Sequence, residues 1–362
     1  MFLHILFWGD FIYNLVKIIY IKNIINNINV IKNKINKKYM FVAKAESYSN
    51  DKIIEFIEKY VDSFAVFNLE EAIKLREKTS KDILLLSSCT CEIDYYVKYN
   101  ITASFYRFED LFFVENKLKE QGKSIKLHLP INSGMNRFGV NNNADFEKIL
   151  DFINISKCIN LTGIYTHLSS ENNSNVKYQM EKFYAILGCY NTNNIDIHFI
   201  SSTYLDNNYL LTYKSDSIRI GIANYTKSIE STMNSVEIYS KILDIKIIKK
   251  GEIVGYFNNF VANSESKIAI ISGGYFDGIN SNLIGYNVKI NNNYCKTIGK
   301  ICMDVFFVDV TNINCVVGDI VKIISTTDDN LSIGNMANYL GVSKQEVLSK
   351  FRGRIKTIYK NN

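Results

Sequence analysis

Apolar residues recur at helical spacing from residue 21 onward, which predicts an amphipathic first helix. Isoleucine stands at positions 21, 24, 25, 28, 31 and 35, so these side chains share one helical face, while asparagine and lysine fill most of the other. The segment is rich in asparagine, but its periodicity argues against disorder. We therefore expect an ordered helix that packs its isoleucine face against the rest of the protein.

After this helix the pattern changes to short apolar runs with helical patterns between several of them. The strand candidates are 40–43, 64–67, 83–86, 102–105, 125–129, 161–166, 197–200 and 217–220. The helical patterns are 51–60, 69–78, 108–121, 145–155 and 174–188. Eight strands alternating with helices are what a (β/α)8 barrel requires, so the fold class is α/β with a TIM-like barrel over residues 21–230.

Beyond this region one strand candidate follows another, with glycine-rich turns between several of them. The candidates are 235–249, 268–272, 286–290, 297–302, 305–310 and 319–324, with helical patterns near 332–340 and 343–350. This rhythm predicts a C-terminal, mainly antiparallel β-domain over residues 231–362.

Residues 1–20 are left as an N-terminal apolar extension. Gly9, Asp10, Asn14 and Lys17 interrupt its apolar character before it could span a bilayer. It has neither a basic start nor a small-residue cleavage site, so it does not resemble a signal peptide. We expect a packed N-terminal element and no stable membrane association.

Composition narrows the class of protein. A chain of 362 residues exceeds what one core usually organises, and 47% apolar with 22% charged residues is typical of soluble globular proteins. The net charge of +6 is modest, and lysines scattered among asparagine and isoleucine do not predict a nucleic-acid partner. The seven cysteines include one close pair, Cys89 and Cys91, without a nearby histidine, so we predict reduced thiols in a cytoplasmic protein and no metal site.

Polar residues fall where the predicted barrel strands end, which is where barrel enzymes place their reactive side chains. They are Lys44, Arg137, His167, Ser202 and Arg219. The clearest case is the alternating run 125–129, which leads into the small-residue turn Asn-Ser-Gly and then Arg137. Such a strand end forms a binding loop and presents one guanidinium to an anion.

This last stretch resembles the Thr-Gly-Met-x-Arg-x-Gly motif of alanine racemases, which are pyridoxal 5′-phosphate enzymes with the same order of barrel and β-domain. The resemblance covers nearly the whole chain after residue 20. The segment Val-Ala-Lys-Ala-Glu-Ser-Tyr is similar to the family's Val-Lys-Ala-Asn-Ala-Tyr. By that resemblance Lys44 is the lysine that carries the cofactor, and Tyr48 contacts its phosphate.

Other barrel motifs extend the resemblance. The segment Arg-Ile-Gly-Ile-Ala around Arg219 is similar to the family's Arg-Pro-Gly-Ile-Ala, whose arginine bonds the pyridine nitrogen. The resemblance also implies that His167 packs against the cofactor ring and that His198 orients Arg219. The phosphate would be bound by Ser202 and by the backbone of Gly221 and Ile222. Structural roles for the histidines and a rim ion pair for the arginine remain the alternatives.

The β-domain carries matches as well. Tyr256 corresponds to the tyrosine that reaches the partner subunit's active site as an acid/base group, and Tyr275 to the tyrosine at the entrance. The segment Gly-Lys-Ile-Cys-Met-Asp at 299–304 resembles Gly-Arg-Ile-Cys-Met-Asp, so Met303 and Asp304 would belong to the substrate-carboxylate site with Arg137. Near the C-terminus, Tyr359 would bind phosphate.

Among the departures from the family pattern, three affect supporting positions of the site. Pro130 stands where many members have a lysine, often carbamylated, whose negative charge steadies the arginine matched by Arg137. Asn132 replaces an aspartate, and Ser281 stands where an arginine is usual. Because supporting residues hold a site's geometry, these changes are compatible with low activity, another substrate or a decaying enzyme.

Taken together, the resemblance implies an isomerase that interconverts L-alanine and D-alanine, supplying D-alanine for peptidoglycan. It would act as a cytoplasmic homodimer with shared active sites, using Lys44 and Tyr256 as bases on opposite faces of the substrate. The alternatives are a racemase or decarboxylase for another amino acid, a weakened cofactor-binding homologue, and a non-enzymatic cofactor carrier. Met303 and Asp304 favour a racemase over a decarboxylase, and the β-domain disfavours a carrier.

Overall fold

Two eight-stranded sheets organise the protein, of which the computed structural model describes residues 15–169 and 172–361. The first described strand, β1 (Val16–Tyr20), belongs to the second sheet and leads directly into helix α1 (Ile21–Ile35). The predicted helix is confirmed, with its isoleucine face buried, and a buried Asn27 fastens it to the segment that joins the two sheets. The Asn27 side-chain amide donates to the carbonyl oxygens of Asn224 (3.0 Å) and Met233 (2.8 Å).

The first sheet is a closed parallel barrel, which confirms the predicted fold class. Its strands are β2 (Lys38–Val42), β3 (Ser63–Val66), β4 (Ile83–Leu85), β5 (Ile101–Thr102), β6 (Ile125–Pro130), β7 (Ile159–Tyr165), β8 (Asp196–Ser201) and β9 (Ser217–Ile220). Strand β9 returns to pair with β2. The gap between β5 and β6 closes through Ala103, whose N–H donates to Lys126 O (3.0 Å) and whose carbonyl accepts from His128 N–H (2.9 Å).

Helices surround this barrel, and asparagine begins several of them. They are α2 (Ile53–Ile57), α3 (Leu69–Arg76), α4 (Ile93–Lys98), α5 (Phe108–Gln121), α6 (Asn143–Ile155), α7 (Asn173–Leu187) and the short α8 (Asn208–Leu211). The side chains of Asn68, Asn142 and Asn207 each accept a hydrogen bond from a backbone N–H in the first turn of the helix that follows. Asparagine satisfies these otherwise unpaired donors well, so part of the chain's asparagine content has a structural use.

The second sheet is mainly antiparallel. It contains β1 and β10 (Val236–Ile248), β11 (Ser266–Ser272), β12 (Asn287–Ile290), β13 (Asn293–Ile298), β14 (Val305–Asp309), β15 (Ile320–Ile324) and β16 (Lys356–Lys360), with helices α9 (Ile333–Leu340) and α10 (Lys344–Lys350) before the last strand. Strand β1 lies between β10, to which it is antiparallel, and β16, to which it is parallel. Part of the predicted N-terminal extension is thus an interior strand of this sheet.

Residues 1–14 of that extension lie outside the described residues. Across residues 15–169 and 172–361, none of the helices combines the length and apolar character that a membrane crossing needs.

A buried lysine connects the two sheets. Lys17 on β1 has no exposed surface, and its Nζ donates to Ser49 O (2.8 Å), beside the barrel, and to Phe351 O (2.9 Å), beside α10. Burial lowers the pKa of Lys17 to about 7, although the nearby Asp51 carboxylate opposes the shift. Strand β1 therefore pairs with its neighbours in the second sheet and, through Lys17, also donates hydrogen bonds across the interface between the two sheets.

Candidate active site

A cavity opens at the C-terminal ends of the barrel strands. Three cationic side chains, Lys44, Arg137 and Arg219, line it together with Phe67, Tyr165 and other residues, and seven of the eight barrel strands contribute to it. None of its lining residues within the described chain is an aspartate or a glutamate. The topology explains this convergence, because parallel strands all end on the same side of the barrel. The cavity is consequently suited to a ligand with more than one negative charge.

Lys44 begins an unusual backbone turn immediately after β2. The four residues that follow it, 45–48, have φ between 52° and 58°, and Ser49 has φ 64°. Left-handed backbone costs roughly 1–2 kcal/mol for each residue that carries a Cβ, so the turn needs support from its surroundings. Part of the support is the buried Asn50, whose side-chain amide donates to Tyr48 O (2.9 Å) and Ser47 O (3.2 Å).

Glu71 gives further support, and no sequence pattern predicts this role for it. One carboxylate oxygen accepts from Ala45 N–H (2.6 Å), next to Lys44, and the other accepts from Phe67 N–H (2.9 Å) after β3. One side chain thereby ties together two loops that line the cavity. In the sequence Glu71 lies three residues after the N-cap Asn68, a spacing that predicts helix capping and gives no sign of the contact with Ala45.

Lys44 and Arg137 have different surroundings. Burial, with the positive charges of Arg137 and Arg219, lowers the pKa of Lys44, while Glu71 acts in the opposite direction. A lowered pKa increases the fraction of neutral, nucleophilic amine near neutral pH. Arg137 is exposed, with its guanidinium carbon 5.8 Å from the centre of the Phe138 ring.

Arg219 is buried and bonded to neutral groups. Its Nη1 donates to His198 O (2.8 Å) and to the His198 Nδ1, and its Nη2 donates to Thr166 O (2.7 Å) and lies 3.4 Å from His167 Nδ1. Burial lowers its pKa to about 10, so the guanidinium still carries its charge at neutral pH. A charge held in this way can face a neutral acceptor on a bound ligand.

The position of Arg219 fixes the protonation of two histidines. Because a guanidinium only donates, His198 Nδ1 must accept, and the His198 proton lies on Nε2. That Nε2 is 2.9 Å from His128 Nδ1, which accepts in turn. Burial lowers the pKa of His198 well below its usual range and that of His128 to about 3, so both rings are neutral. The predicted orienting role of His198 is compatible with this chain of hydrogen bonds.

Asp196 lies close to these two histidines, and the three side chains have the composition of a metal site. Both ring nitrogens of His198 already make hydrogen bonds, and so does His128 Nδ1. Asp196 accepts from the Ser217 hydroxyl at 2.7 Å. These bonds account for the proximity of the three side chains.

Another group of polar atoms gathers beside Gly221. Ser202 Oγ accepts from Gly221 N–H (3.0 Å) and lies 3.4 Å from Ala223 N. The hydroxyl of the buried Tyr48 lies over Gly221, where an added Cβ would be 2.3 Å from the tyrosine oxygen. Ile222 is buried at the start of the turn that follows. Hydroxyls and backbone N–H groups are the donors that a phosphate group needs.

Tyr359 lies farther along the chain, on β16. It is half-buried, and its ring stacks on Phe56 with a centroid separation of 5.8 Å. Burial raises its pKa well above the usual range. Tyr48 packs edge-on against Tyr225, with 5.8 Å between the ring centroids. Burial raises the pKa of Tyr225 well above its usual range, and the nearby Tyr48 and Tyr359 raise it further.

The remaining predicted residues lie in the β-domain and line no part of the cavity in the described chain. Tyr256, Tyr275 and Met303 are exposed by 63%, 49% and 51%, and Phe257 and Phe276 accompany them. We call these five residues the aromatic surface. Tyr275 N–H donates to Cys302 O (3.0 Å), which joins the segment of Tyr275 and Phe276 to the segment of Met303. An exposed group of large apolar side chains of this kind is typical of an interface.

Asp304 has a different neighbour. Its carboxylate accepts from Arg354, which also donates to the buried Asp277 at 2.7 Å. Asp277 in turn accepts from Gly274 N–H (3.0 Å), so the arginine fastens the turn that carries Tyr275 to the segment that carries Met303. This ion-pair cluster holds the two segments in a fixed position relative to each other.

The replaced positions also have visible roles. Pro130 ends β6 and lines the cavity. Asn132 Oδ1 accepts from Asn136 N–H (2.9 Å) and Gly134 N–H (3.2 Å), and its Nδ2 donates to Asn141 (2.8 Å). The asparagine thus shapes the loop before Arg137 through neutral hydrogen bonds.

Comparison with known proteins agrees with this arrangement. Residues 19–228 match the family model for the alanine racemase N-terminal domain, and residues 235–359 match the model for the C-terminal domain. An alanine racemase of Borreliella burgdorferi (strain ZS7) is 32% identical over 351 residues, which cover 91% of this chain and 93% of that protein. The alanine racemase of E. faecalis superposes with a TM-score of 0.89 at 23% identity, covering 98% of this chain and 99% of the other. The alanine racemase of Bartonella henselae, solved with covalently bound pyridoxal phosphate, superposes with a TM-score of 0.87 at 22% identity, covering 96% and 99%.

Proposed function

Because the chain belongs to the alanine racemase family, we propose that it interconverts L-alanine and D-alanine with pyridoxal 5′-phosphate as its cofactor. The observation that carries the proposal is the acid-free cavity in which Lys44 and the charged, buried Arg219 lie together. We place the enzyme in the cytoplasm, where its D-alanine would supply peptidoglycan synthesis.

The residues that line the cavity, and those next to them in the sequence, fit this cofactor. The donors around Gly221, Tyr48 and Ser202 suit the phosphate, and Arg219 suits the pyridine nitrogen as a charged donor that keeps it unprotonated. When bound, the cofactor draws electron density away from Cα of an attached amino acid, which makes the Cα proton acidic enough to be removed. The neutral His167 would lie against its ring, since burial lowers the His167 pKa to about 3.

Lys44 would hold the cofactor and afterwards act as a base. Its lowered pKa leaves a neutral amine available for attachment, and the left-handed turn that follows Lys44 helps to position its backbone at the cavity. Nζ of Lys44 would also take a proton from the substrate Cα on one face or return one.

Racemisation needs two acid/base groups, one on each face of the substrate. Among the residues that line the cavity we assign this role to Lys44 alone, so a second group must come from elsewhere. We propose that Tyr256 of the partner subunit supplies the second group, with the aromatic surface of one chain covering the barrel mouth of the other in a homodimer. Arg137 would bind the substrate carboxylate together with the backbone N–H of Met303 of the partner subunit. Tyr275 of the partner subunit would lie at the entrance, and Asp304 of the partner subunit would belong to the carboxylate site.

The decisive test is D-alanine formation from L-alanine by the purified protein supplied with pyridoxal phosphate. We expect D-alanine from the unchanged chain and none above background from Lys44→Ala, because the variant lacks the amine that holds the cofactor. If no D-alanine forms but a cofactor absorbance band depends on Lys44, the result would contradict alanine as the substrate and support pyridoxal phosphate as the cofactor. Loss of both signals in a folded protein would contradict the whole proposal.

Glu71→Gln should lower turnover about tenfold, by analogy with other displaced catalytic groups, while the protein stays folded. Glutamine keeps one acceptor oxygen, but its NH2 group would face either Ala45 N–H or Phe67 N–H, so one support of the Lys44 turn is lost. The loss should appear in kcat more than in KM, together with a shifted pH titration of the cofactor absorbance. Glu70→Gln is the matched control, because Glu70 is exposed and contacts Lys74. Equal behaviour of the two variants would contradict the role of Glu71.

A further inference from the structure

Cys89 and Cys91 form a close thiol pair on the loop that follows β4. Both residues are exposed, and their Sγ atoms are 2.8 Å apart. A disulfide bond is about 2.05 Å long, so the two sulfurs need to approach by less than about 1 Å to be joined. Their separation is too short for a metal ion that binds thiolates at about 2.3 Å from opposite or tetrahedral directions. The geometry therefore favours a covalent bond over a metal site.

The loop is held in the shape that brings the thiols together. The hydroxyl oxygen of the buried Tyr96 accepts from Cys89 N–H (2.8 Å), and it lies 2.9 Å from Cys89 O and 2.6 Å from the Glu92 carboxylate. Ser88 Oγ accepts from Ser104 N–H (2.8 Å), which ties the loop to the segment after β5. A short turn over Thr90–Glu92 places the sulfurs on one side. Folding has thus already ordered both residues, which reduces the entropy cost of a bond between them.

The other cysteines have different surroundings. Cys158, Cys295 and Cys315 are buried, and Cys302 is partly buried. Cys189 is exposed like the pair, but in the described chain it has no thiol neighbour that we can identify. It therefore serves as an internal reference for an exposed thiol that reacts alone.

We propose that Cys89 and Cys91 form a reversible dithiol–disulfide couple that exchanges with low-molecular-weight disulfides. The thiolate of one cysteine attacks a disulfide RSSR, forms a mixed disulfide and releases one RS⁻. The thiolate of the other cysteine then attacks the protein sulfur of that mixed disulfide and releases the second RS⁻. Two protein thiols are oxidised, RSSR is reduced to two RSH, and the protein's two protons pass to the released thiolates.

The couple lies at the mouth of the barrel. Leu86, three residues before Cys89, is part of the cavity wall, so the modified loop continues directly into the proposed active site. Hydrogen bonding to Cys89 and the charge of Glu92 raise the pKa of the Cys91 thiol, so exchange should be faster above neutral pH, where more thiolate is present. The inference does not depend on the proposed racemase activity.

Mass spectrometry of the full chain tests the couple. The reduced protein is incubated with oxidised glutathione at mildly alkaline pH, blocked with iodoacetamide and digested. We expect the peptide containing Cys89 and Cys91 to lose two hydrogens, to carry no blocking group and to regain two thiols after reduction. Cys189 in the same sample should carry glutathione or the blocking group.

Two variants distinguish the exchange at Cys89 and Cys91 from reactions of the other cysteines. Cys91→Ser should retain glutathione on Cys89, because the resolving thiol is gone, whereas Cys189→Ser should still form the internal bond. The proposal is wrong if Cys89 and Cys91 each keep glutathione, or if both remain blockable where Cys189 has reacted. A bond that joins two chains instead of the two cysteines of one chain would also overturn it.

Discussion

Mixing Lys44→Ala chains with Tyr256→Phe chains should restore activity that neither variant has alone. If each active site combines Lys44 of one chain with Tyr256 of the other, a mixed dimer has one site with both native groups and one site with neither. Random assembly makes half of the dimers mixed, so the recovered activity should be about a quarter of that of the unchanged protein. The recovery would come from a site that two different chains share.

Each variant alone should be strongly impaired. Removing a positioned acid/base group typically costs about 100-fold to 10,000-fold in rate, and loss of Lys44 also removes the attachment of the cofactor. Tyr256→Phe should impair both directions of the reaction, yet leave the cofactor absorbance unchanged, because Lys44, which would hold the cofactor, is intact. The measurement is D-alanine and L-alanine formation before and after the two chains are co-refolded.

The matched control is Tyr178→Phe. Tyr178 is exposed by 62%, almost as much as Tyr256, but it lies on α7 outside the barrel. Its variant should keep full activity. If the mixture of Lys44→Ala and Tyr256→Phe stays inactive although mixed dimers have formed, Tyr256 does not complete the partner's site.

The sequence was sufficient for the barrel because each of its strands is a local apolar run that ends near a polar residue. Once eight parallel strands close, Lys44, His167 and Arg219 must meet at one end, although 175 positions separate the first from the last (219 less 44). Short-range patterns and one topological rule therefore predict the composition of the cavity.

Interactions between distant segments were less accessible to prediction. Strand β1 is a run of mostly buried residues without polar alternation, and the helical spacing that follows it hides its membership of the β-domain. The turn after Lys44 contains no glycine, so its left-handed backbone contradicts local preference. Both features depend on contacts with partners far away in the sequence, such as Glu71 and β10.

The two parts of the proposed site also show what cannot be predicted from the sequence of one chain. Motifs identified Tyr256 and Met303 as site residues, but in one chain these side chains belong to an exposed surface away from the cavity lining. A sequence pattern names residue types without their arrangement in an assembly. Shape and charge support the proposed pairing, since an acid-free cavity suits an anionic ligand and an exposed aromatic surface is typical of an interface.

Lys17→Met should change the pH dependence of stability more than any substitution of an exposed lysine. The folded chain lowers the pKa of Lys17 from 10.5 to about 7, so above pH 7 it binds fewer protons than the unfolded chain does. Its stability contribution therefore rises with pH between these two values and is lost as pH falls through 7. The free energy of unfolding of the unchanged protein, relative to Lys17→Met, should increase by about 2 kcal/mol between about pH 7.5 and about pH 9.5.

Urea denaturation at the two pH values measures this difference directly. At the higher pH the variant should be less stable than the unchanged protein, because methionine leaves Ser49 O and Phe351 O without their donor. At the lower pH the difference in free energy of unfolding between the two proteins should become smaller, since the unchanged protein then buries a charge. Lys22→Met, on the exposed side of α1, should show no such trend. A pH-independent difference for Lys17→Met would mean that the amine keeps one protonation state throughout, and that its two carbonyl contacts alone determine its effect.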